Sequence, residues 1–216
     1  VNPRCVIFDF DGTIADTIEQ ALIILNQLSQ EYDFKPLENH EISGAKNMTA
    51  GQFVKHLKIP RMKVPRILAE GKRRLAARVS DIEPIQGMDV LIRNARSRHE
   101  ILGILTSNSV ENVNAFLDLK GLNCFDFIST IPKLSGKAKN LKAIMRTHSL
   151  EPRECLFIGD EIRDVKAARK AGVPIIAVTW GFNSEKALYA AGPDHVTSRP
   201  EELDAILEGL RNGTSV

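Results

Sequence analysis

Apolar residues along this chain come in short unbroken blocks, separated by stretches in which they recur every three or four positions. The first block, Val6-Ile7-Phe8, runs straight into Asp9-Phe10-Asp11-Gly12-Thr13. An apolar run this short, closed by a turn residue, predicts a strand buried on both faces, as in a parallel sheet. Strand residues two apart point the same way, so Ile7, Asp9 and, if the strand persists, Asp11 share a side. Two carboxylates then project from the end of a central strand, where open α/β sheets bind ligands.

After Thr13 the period becomes helical. Ala21, Leu22, Ile24, Leu25 and Leu28 share one face, and Asp16 or Thr17 could cap that helix. Pro36 and residues 38–44 read as loop. A second helix covers residues 49–57 and ends before Pro60; a third covers residues 64–79. No strand is expected between Thr13 and Glu83, and residues 83–87 form a turn-rich linker. From Met88 the chain alternates regularly. Helices over residues 88–98, 110–119, 137–148 and 163–171 precede strands at 101–106, 125–129, 155–158 and 174–179. A short strand at 195–197 and a helix over 200–210 close the chain. This alternation predicts the α/β class, with a doubly wound parallel sheet. The helical stretch between the first two strands is too long for a crossover. It is expected to be a separate inserted domain, residues 15–84, on a Rossmann-like core of residues 1–14 and 85–216.

Composition narrows the setting. The longest apolar runs, such as Pro174-Ile175-Ile176-Ala177-Val178, are too short to span a bilayer, so no membrane partner is expected. The first strand follows Val1 almost at once, leaving no room for a signal peptide in the given chain. Because the chain does not start with Met, a removed leader stays open. Three scattered cysteines, Cys5, Cys124 and Cys155, suit small buried side chains in a reducing, cytoplasmic compartment, and not a disulfide frame or zinc site. The net charge of +2 conceals an asymmetry: residues 45–79 carry ten Lys and Arg against Glu70 alone, leaving the remainder strongly acidic. Such a basic stretch could focus anionic substrates, or it could be a solvated helix surface. With only Phe53 among its charges, it lacks the interleaved aromatics of a nucleic-acid site, so no nucleic-acid partner is expected. Nothing in the sequence sets an oligomeric state; a monomer suits it.

Four groups at strand ends could carry chemistry. Asp9 and Asp11 repel one another unless a cation sits between them, although an acidic turn would give the same residues. Thr106-Ser107-Asn108-Ser109 ends the second core strand, where hydroxyls and free N–H groups suit an anionic oxygen, or simply cap a helix. Lys137 opens the next helix against the helix dipole, so something else would hold it there; Lys133 and Lys139 are rivals. Gly159-Asp160, with Asp164 four residues on and Glu161 beside it, forms an acidic corner, or Asp160 caps the following helix. Carboxylate oxygens without Cys or His nearby suit Mg²⁺ and not zinc.

With these motifs the sequence resembles the haloacid dehalogenase-like hydrolase superfamily, and within it the phosphoglycolate phosphatase-like members. The resemblance rests on Asp9-Phe10-Asp11-Gly12-Thr13, Thr106, Lys137, and Gly159-Asp160 with Asp164. It spans nearly the whole chain, and the helical insert is similar to that family's α-helical cap. The resemblance implies a Mg²⁺-dependent phosphatase acting on a small organic phosphomonoester through an aspartyl-phosphate. Asp9 would be the nucleophile, and Asp11 would protonate the leaving alcohol and then activate water. Mg²⁺ would bind Asp9, the backbone carbonyl of Asp11 and Asp160, with Asp164 positioning ligands. Thr106, the Ser107 N–H and Lys137 would hold the phosphate oxygens. Thr106 over Ser107, and Lys137 over Lys133, are choices of register.

Asp11 argues against a dehalogenase, which needs neither that acid/base nor a metal. A phosphonate hydrolase, with a cap lysine in place of the second aspartate, also fits poorly. A hexose phosphate mutase shares every core residue and differs mainly in the cap, and a non-catalytic binding protein could keep the fold. Those two stand as alternatives.

Overall fold

The computed structural model describes residues 3–131 and 136–211. Its strands are β1 (Cys5–Phe8), β2 (Ile101–Thr106), β3 (Phe127–Thr130), β4 (Cys155–Gly159), β5 (Ile175–Val178) and β6 (His195–Thr197). They form one parallel sheet in the order β3-β2-β1-β4-β5-β6. The chain steps outward from β1 to β3, then returns to the other side of β1, so the order reverses beside β1. That reversal opens a crevice at the carboxyl ends of β1, β2 and β4.

The helices are α1 (Ile18–Tyr32), α2 (Ile42–Ala45), α3 (Ala50–His56), α4 (Val64–Ala76), α5 (Met88–Arg98), α6 (Val110–Lys120), α7 (Lys137–Thr147), α8 (Ile162–Ala171), α9 (Glu185–Ala191) and α10 (Pro200–Arg211). β1 is buried at every position because both sheet faces are covered. Val6 and Phe8 pack with Met88, Phe116 and Leu207 of α5, α6 and α10. Ile7 faces the other way, toward Leu141, Val165 and Leu188 of α7, α8 and α9. Helices therefore flank both faces, the doubly wound arrangement expected from the alternating pattern.

The residues between β1 and α5 are helical and bury a core of their own, built on Ile24, Leu28, Phe34, Leu37, Leu57 and Ile67. The two chain segments leading into and out of this insert pair with each other: Asp16 N–H donates to the Glu83 carbonyl at 2.9 Å and Ile85 N–H to the Ile14 carbonyl at 2.8 Å.

Several local expectations need correcting. Thr17 occupies the N-cap position of α1, but its hydroxyl caps nothing and finds no partner among the described residues. Residues 38–44 are not loop: Glu38 and Glu41 form a reciprocal capping box around a 3₁₀ turn that leads into α2. α4 stops at Ala76, because Leu75 and Val79 turn toward the sheet-side core. The strand expected at 125–129 begins two residues later, since Phe125 leaves the ladder to set its ring edge-on against Phe8, centroids 6.3 Å apart. α9, capped by the Ser184 hydroxyl and closed by Gly192, has no counterpart in the sequence reading, because seven residues are fewer than two full turns of helix and too short to show a period.

Candidate active site

β1 ends at Phe8, and the backbone then delivers Asp9 into the crevice: its N–H still donates to the Ile158 carbonyl of β4 at 2.8 Å. The chain turns at once. Ile14 and Ala15 N–H groups both return to the Phe10 carbonyl, at 2.9 and 3.0 Å, and Gly12 adopts a φ of 77°. Glycine is required there twice over, for the left-handed backbone and because a Cβ would lie 2.6 Å from Asp160 Oδ2. The turn sends the Asp9 and Asp11 carboxylates to different hydrogen-bond partners.

Asp9 is buried, and its two oxygens have separate duties. Oδ1 accepts the Phe10 N–H at 2.8 Å; Oδ2 accepts the Lys137 ammonium. Lys137 also donates to Asp164 Oδ1 at 2.6 Å. This explains a buried cation in the first turn of α7, where the helix dipole opposes it. Burial works against the ammonium, but Asp164 and Asp9 outweigh it and hold the pKa above its ordinary value. Asp164 Oδ2 in turn accepts the Glu161 N–H at 3.1 Å, closing a capping box at the start of α8.

Asp160 is fixed from two directions. The Thr13 hydroxyl donates to Oδ1 at 2.8 Å, and the Phe182 N–H donates to Oδ2 at 2.7 Å. Gly181 lets the 181–183 loop come this close, since a Cβ there would sit 2.1 Å from Asp160 Oδ2. Carboxylate oxygens of Asp9, Asp160 and Asp164 then lie within 4.8 Å of one another, all buried. Burial first, and the neighbouring acids after it, push Asp160 well above the usual carboxylate range. Asp9 is pushed by burial up to about 7, against the pull of Lys137. One ammonium cannot balance three buried carboxylates, and a divalent cation would remove the deficit. The donors are all hard oxygens, which fits Mg²⁺.

Asp11 stands outside this cluster. Its surroundings push the carboxyl up to about 6, while the Asn108 amide, 3.3 Å from both oxygens, pulls it down. Asn108 is itself held: its Oδ1 accepts the Ser109 N–H at 2.9 Å and the Asn112 amide at 3.0 Å. Thr106 is buried at the end of β2, and its hydroxyl accepts the Asn108 N–H at 2.9 Å. The Ser107 carbonyl accepts a bond from Lys72 of α4. Neither Thr106 nor Ser107 is hydrogen-bonded to the carboxylates or to Lys137. Lys133 lies outside the described residues.

The roles of four residues escape sequence reasoning. Asn108 was part of the strand-end tetrad, but its bond to Asp11 spans 97 positions. Gly181 and Phe182 matter only through their approach to Asp160. Arg163, between the two aspartates of the acidic corner, pairs with Glu161 at 2.5 Å while its Nε and Nη1, shielded from solvent, meet no partner among the described residues.

The basic stretch resolves into individual contacts. Arg73 and Arg74 pair with Glu70, and Arg74 also with Glu31. Arg66 lies over the Tyr32 ring and Lys63 donates to the Tyr32 carbonyl. Two of the insert's lysines reach the core: Lys72 at Ser107, and Lys46 at the Gly181 carbonyl, 3.0 Å away.

No helix among the described residues is long and apolar enough to cross a membrane. A family model described as haloacid dehalogenase-like hydrolase matches residues 6–178. A phosphoglycolate phosphatase from Synechococcus elongatus is 31% identical over 93% of this chain and 95% of its own. An N-acetylmuramic acid 6-phosphate phosphatase from Pseudomonas putida is 26% identical, with 97% of this chain and 98% of that one aligned. Among solved structures, a haloacid dehalogenase-like family hydrolase from Streptococcus pneumoniae superposes with a TM-score of 0.80 at 21% identity, covering 95% of this chain and 98% of that chain.

Proposed function

The chain belongs to the haloacid dehalogenase-like hydrolase family, and on that premise we propose that it is a Mg²⁺-dependent phosphatase, phosphoglycolate phosphatase-like, that hydrolyses a small organic phosphomonoester through an aspartyl-phosphate formed on Asp9. The observation that carries the proposal is the charge arrangement: Lys137 bridges Asp9 and Asp164 beside Asp160, while Asp11 stands apart under Asn108. Such a layout suits a nucleophile and an acid/base with different environments.

In the first half-reaction an Asp9 oxygen attacks phosphorus and the P–O bond to the substrate breaks. The leaving alkoxide takes its proton from the Asp11 carboxyl, whose raised pKa favours the protonated form that this step needs. In the second, the Asp11 carboxylate takes a proton from water as the water oxygen attacks phosphorus, and Asp9 is released as a carboxylate. Lys137 offsets the charge on Asp9 and the phosphoryl oxygens, and Asp164 keeps the ammonium in place. The Ser107 N–H and Thr106 complete the phosphate site. Asp9, Asp160 and Asp164, with the Asp11 carbonyl, would hold Mg²⁺, which supplies further charge neutralisation at the phosphoryl group.

We assign residues 1–14 and 85–216 to the catalytic core and 15–84 to a cap that excludes water from the transfer. The separate apolar core of the insert and its paired connections support that division. Free thiols at Cys5, Cys124 and Cys155 are in keeping with a cytoplasmic setting. The test is phosphate release from an aryl phosphate with and without Mg²⁺, in the wild type and in Asp9→Asn. The proposal expects metal-dependent release that Asp9→Asn abolishes; release that survives either change contradicts it.

A further inference from the structure

The phosphatase reading leaves the leaving group unnamed, and relatives of comparable similarity carry two different substrate names. The cavity between insert and core is more specific. It encloses about 470 Å³, within the range of small-molecule sites. Its insert wall is apolar, formed by Ile18, Leu22 and Leu25 of α1, Ile42 of α2 and Phe53 of α3. On the core side it meets Phe182 and Arg163. Both residues join it to the reaction centre. The Phe182 N–H is bonded to Asp160, and Arg163 lies close enough to Asp9 for its charge to act on that carboxyl.

The two ends of the cavity differ in what they ask of a ligand. Arg163 gives one nitrogen to Glu161, while Nε and Nη1, shielded from solvent, meet no partner among the described residues. Unmet donors on a shielded guanidinium cost free energy unless an acceptor arrives, and an anionic oxygen is the best acceptor. Away from Arg163 the lining is mostly apolar and gains chiefly from apolar contact; of its polar members, Asn183 donates to the Lys46 and Met48 carbonyls and Lys166 is exposed to solvent. Of the insert's cations, Lys46 lines the cavity and its ammonium is bonded to the Gly181 carbonyl at 3.0 Å, while Arg66, Arg73 and Arg74 are engaged within the insert.

We propose that this cavity takes the organic body of the substrate, and that this body is bulky and apolar: the ligand class is a phosphomonoester of a lipophilic alcohol, with Arg163 donating to its phosphate oxygens. The proposal rests on the phosphatase reading for its chemistry, but on the cavity for its selectivity. A two-carbon acid such as glycolate would leave most of the space unfilled and most of the apolar wall untouched.

The test separates binding from turnover. Asp9→Asn protein with Mg²⁺ is titrated by calorimetry with butyl, hexyl and octyl phosphate and with 2-phosphoglycolate. The proposal expects affinity to rise about fourfold per added methylene, the factor for burying one CH₂, and octyl phosphate to bind more tightly than phosphoglycolate. It also expects Ala50→Trp, which fills the cavity from an exposed position on its rim, to reduce octyl phosphate affinity at least tenfold. Leu22→Asp in the apolar wall should do the same, and serves if the Trp variant does not fold. A flat series, or tighter binding of phosphoglycolate, overturns the proposal. Wild-type protein that releases phosphate from none of these esters, with the chain-length trend intact in Asp9→Asn, overturns the phosphatase reading instead and leaves the apolar cavity standing.

Discussion

The Asn108 side-chain amide sits 3.3 Å from each oxygen of Asp11, although the two residues are 97 positions apart. One residue from β2's end thereby orients the group proposed to move protons at β1's end. Replacing Asn108 with Ala should release that orientation and remove a bond that favours the charged carboxylate, so Asp11 becomes more easily protonated still. The expected outcome is a loss of about 10–100-fold in kcat, at or below the lower end of the roughly 10²–10⁴-fold that a positioned general acid–base supplies, because Asp11 itself is retained. Because the first half-reaction needs Asp11 protonated, the alkaline limb of kcat/KM should move to higher pH. A pH–rate profile of wild type and variant at saturating Mg²⁺ measures both. An unshifted alkaline limb would show that Asn108 does not tune Asp11.

Asp11 and Asp160 should separate in a Mg²⁺ titration. Asp11→Ala should lose most turnover while needing no more Mg²⁺ for half-maximal activity, because its carboxylate lies outside the cluster. Asp160→Ala should raise the Mg²⁺ requirement at least tenfold, a loss of about 1.4 kcal/mol in metal binding. Gly181→Ala should resemble Asp160→Ala, since its Cβ would meet Asp160 Oδ2 at 2.1 Å and displace the carboxylate. It should also destabilise the fold by about 1–3 kcal/mol, as overpacking does. Identical Mg²⁺ curves for the Asp11 and Asp160 variants would remove the distinction between their roles.

The parts of this site that the sequence made legible are those written locally. Asp9, Asp11, Gly12 and Thr13 follow one apolar block, and Asp160 and Asp164 follow another, so strand pattern and turn chemistry announced both. Lys137 was suspicious because it opposes a helix dipole, and its partners Asp9 and Asp164 explain it. The alternation of strands and helices was readable for the same reason: β1, β2 and β4 carry nearly unbroken apolar runs. What stayed hidden depends on approach in space. Asn108 meets Asp11, Gly181 makes room for Asp160, and the surroundings of Arg163 leave its Nε and Nη1 without a partner among the described residues. The charge run over residues 45–79 suggested a single anion-focusing face; four of its ten Lys and Arg, Lys63, Arg66, Arg73 and Arg74, are engaged by Glu31, Glu70 and Tyr32 within the insert itself.

Closure of the insert should register at its two connections. Asp16 bonds to Glu83 and Ile85 to Ile14, so any hinge must strain or break these bonds. Adding Mg²⁺ and beryllofluoride should slow amide exchange at residues 14–16 and 83–87. Lys72→Met should speed it, because the bond from Lys72 to the Ser107 carbonyl ties α4 to the phosphate loop. Exchange unaltered at both connections would contradict hinge closure.

Stability toward acid should depend on His99. The ring is buried, Nδ1 donates to the Pro3 carbonyl at 2.8 Å, and burial holds its pKa below the ordinary 6.5. Below pH 6.5 the unfolded chain therefore binds the proton more readily than the folded one. His99 contributes stability that is intact above that pH and is lost as pH falls toward the folded value. Urea midpoints at pH 7.5 and 5.5 should drop more in the wild type than in His99→Gln, which keeps an N–H for Pro3 but cannot titrate. Equal drops would place the acid sensitivity elsewhere.

The central claim is that Asp9 carries the phosphoryl group, and chemical trapping tests it at the bond itself. Enzyme turning over an aryl phosphate with Mg²⁺ is quenched in acid and reduced with borohydride, which converts an acyl phosphate to the alcohol. Peptide mass spectrometry then locates the modified residue. The account predicts homoserine at position 9, absent without substrate and absent in Asp9→Asn. Continued turnover with no conversion at position 9, or with conversion at Asp11, Asp160 or Asp164 instead, would contradict it.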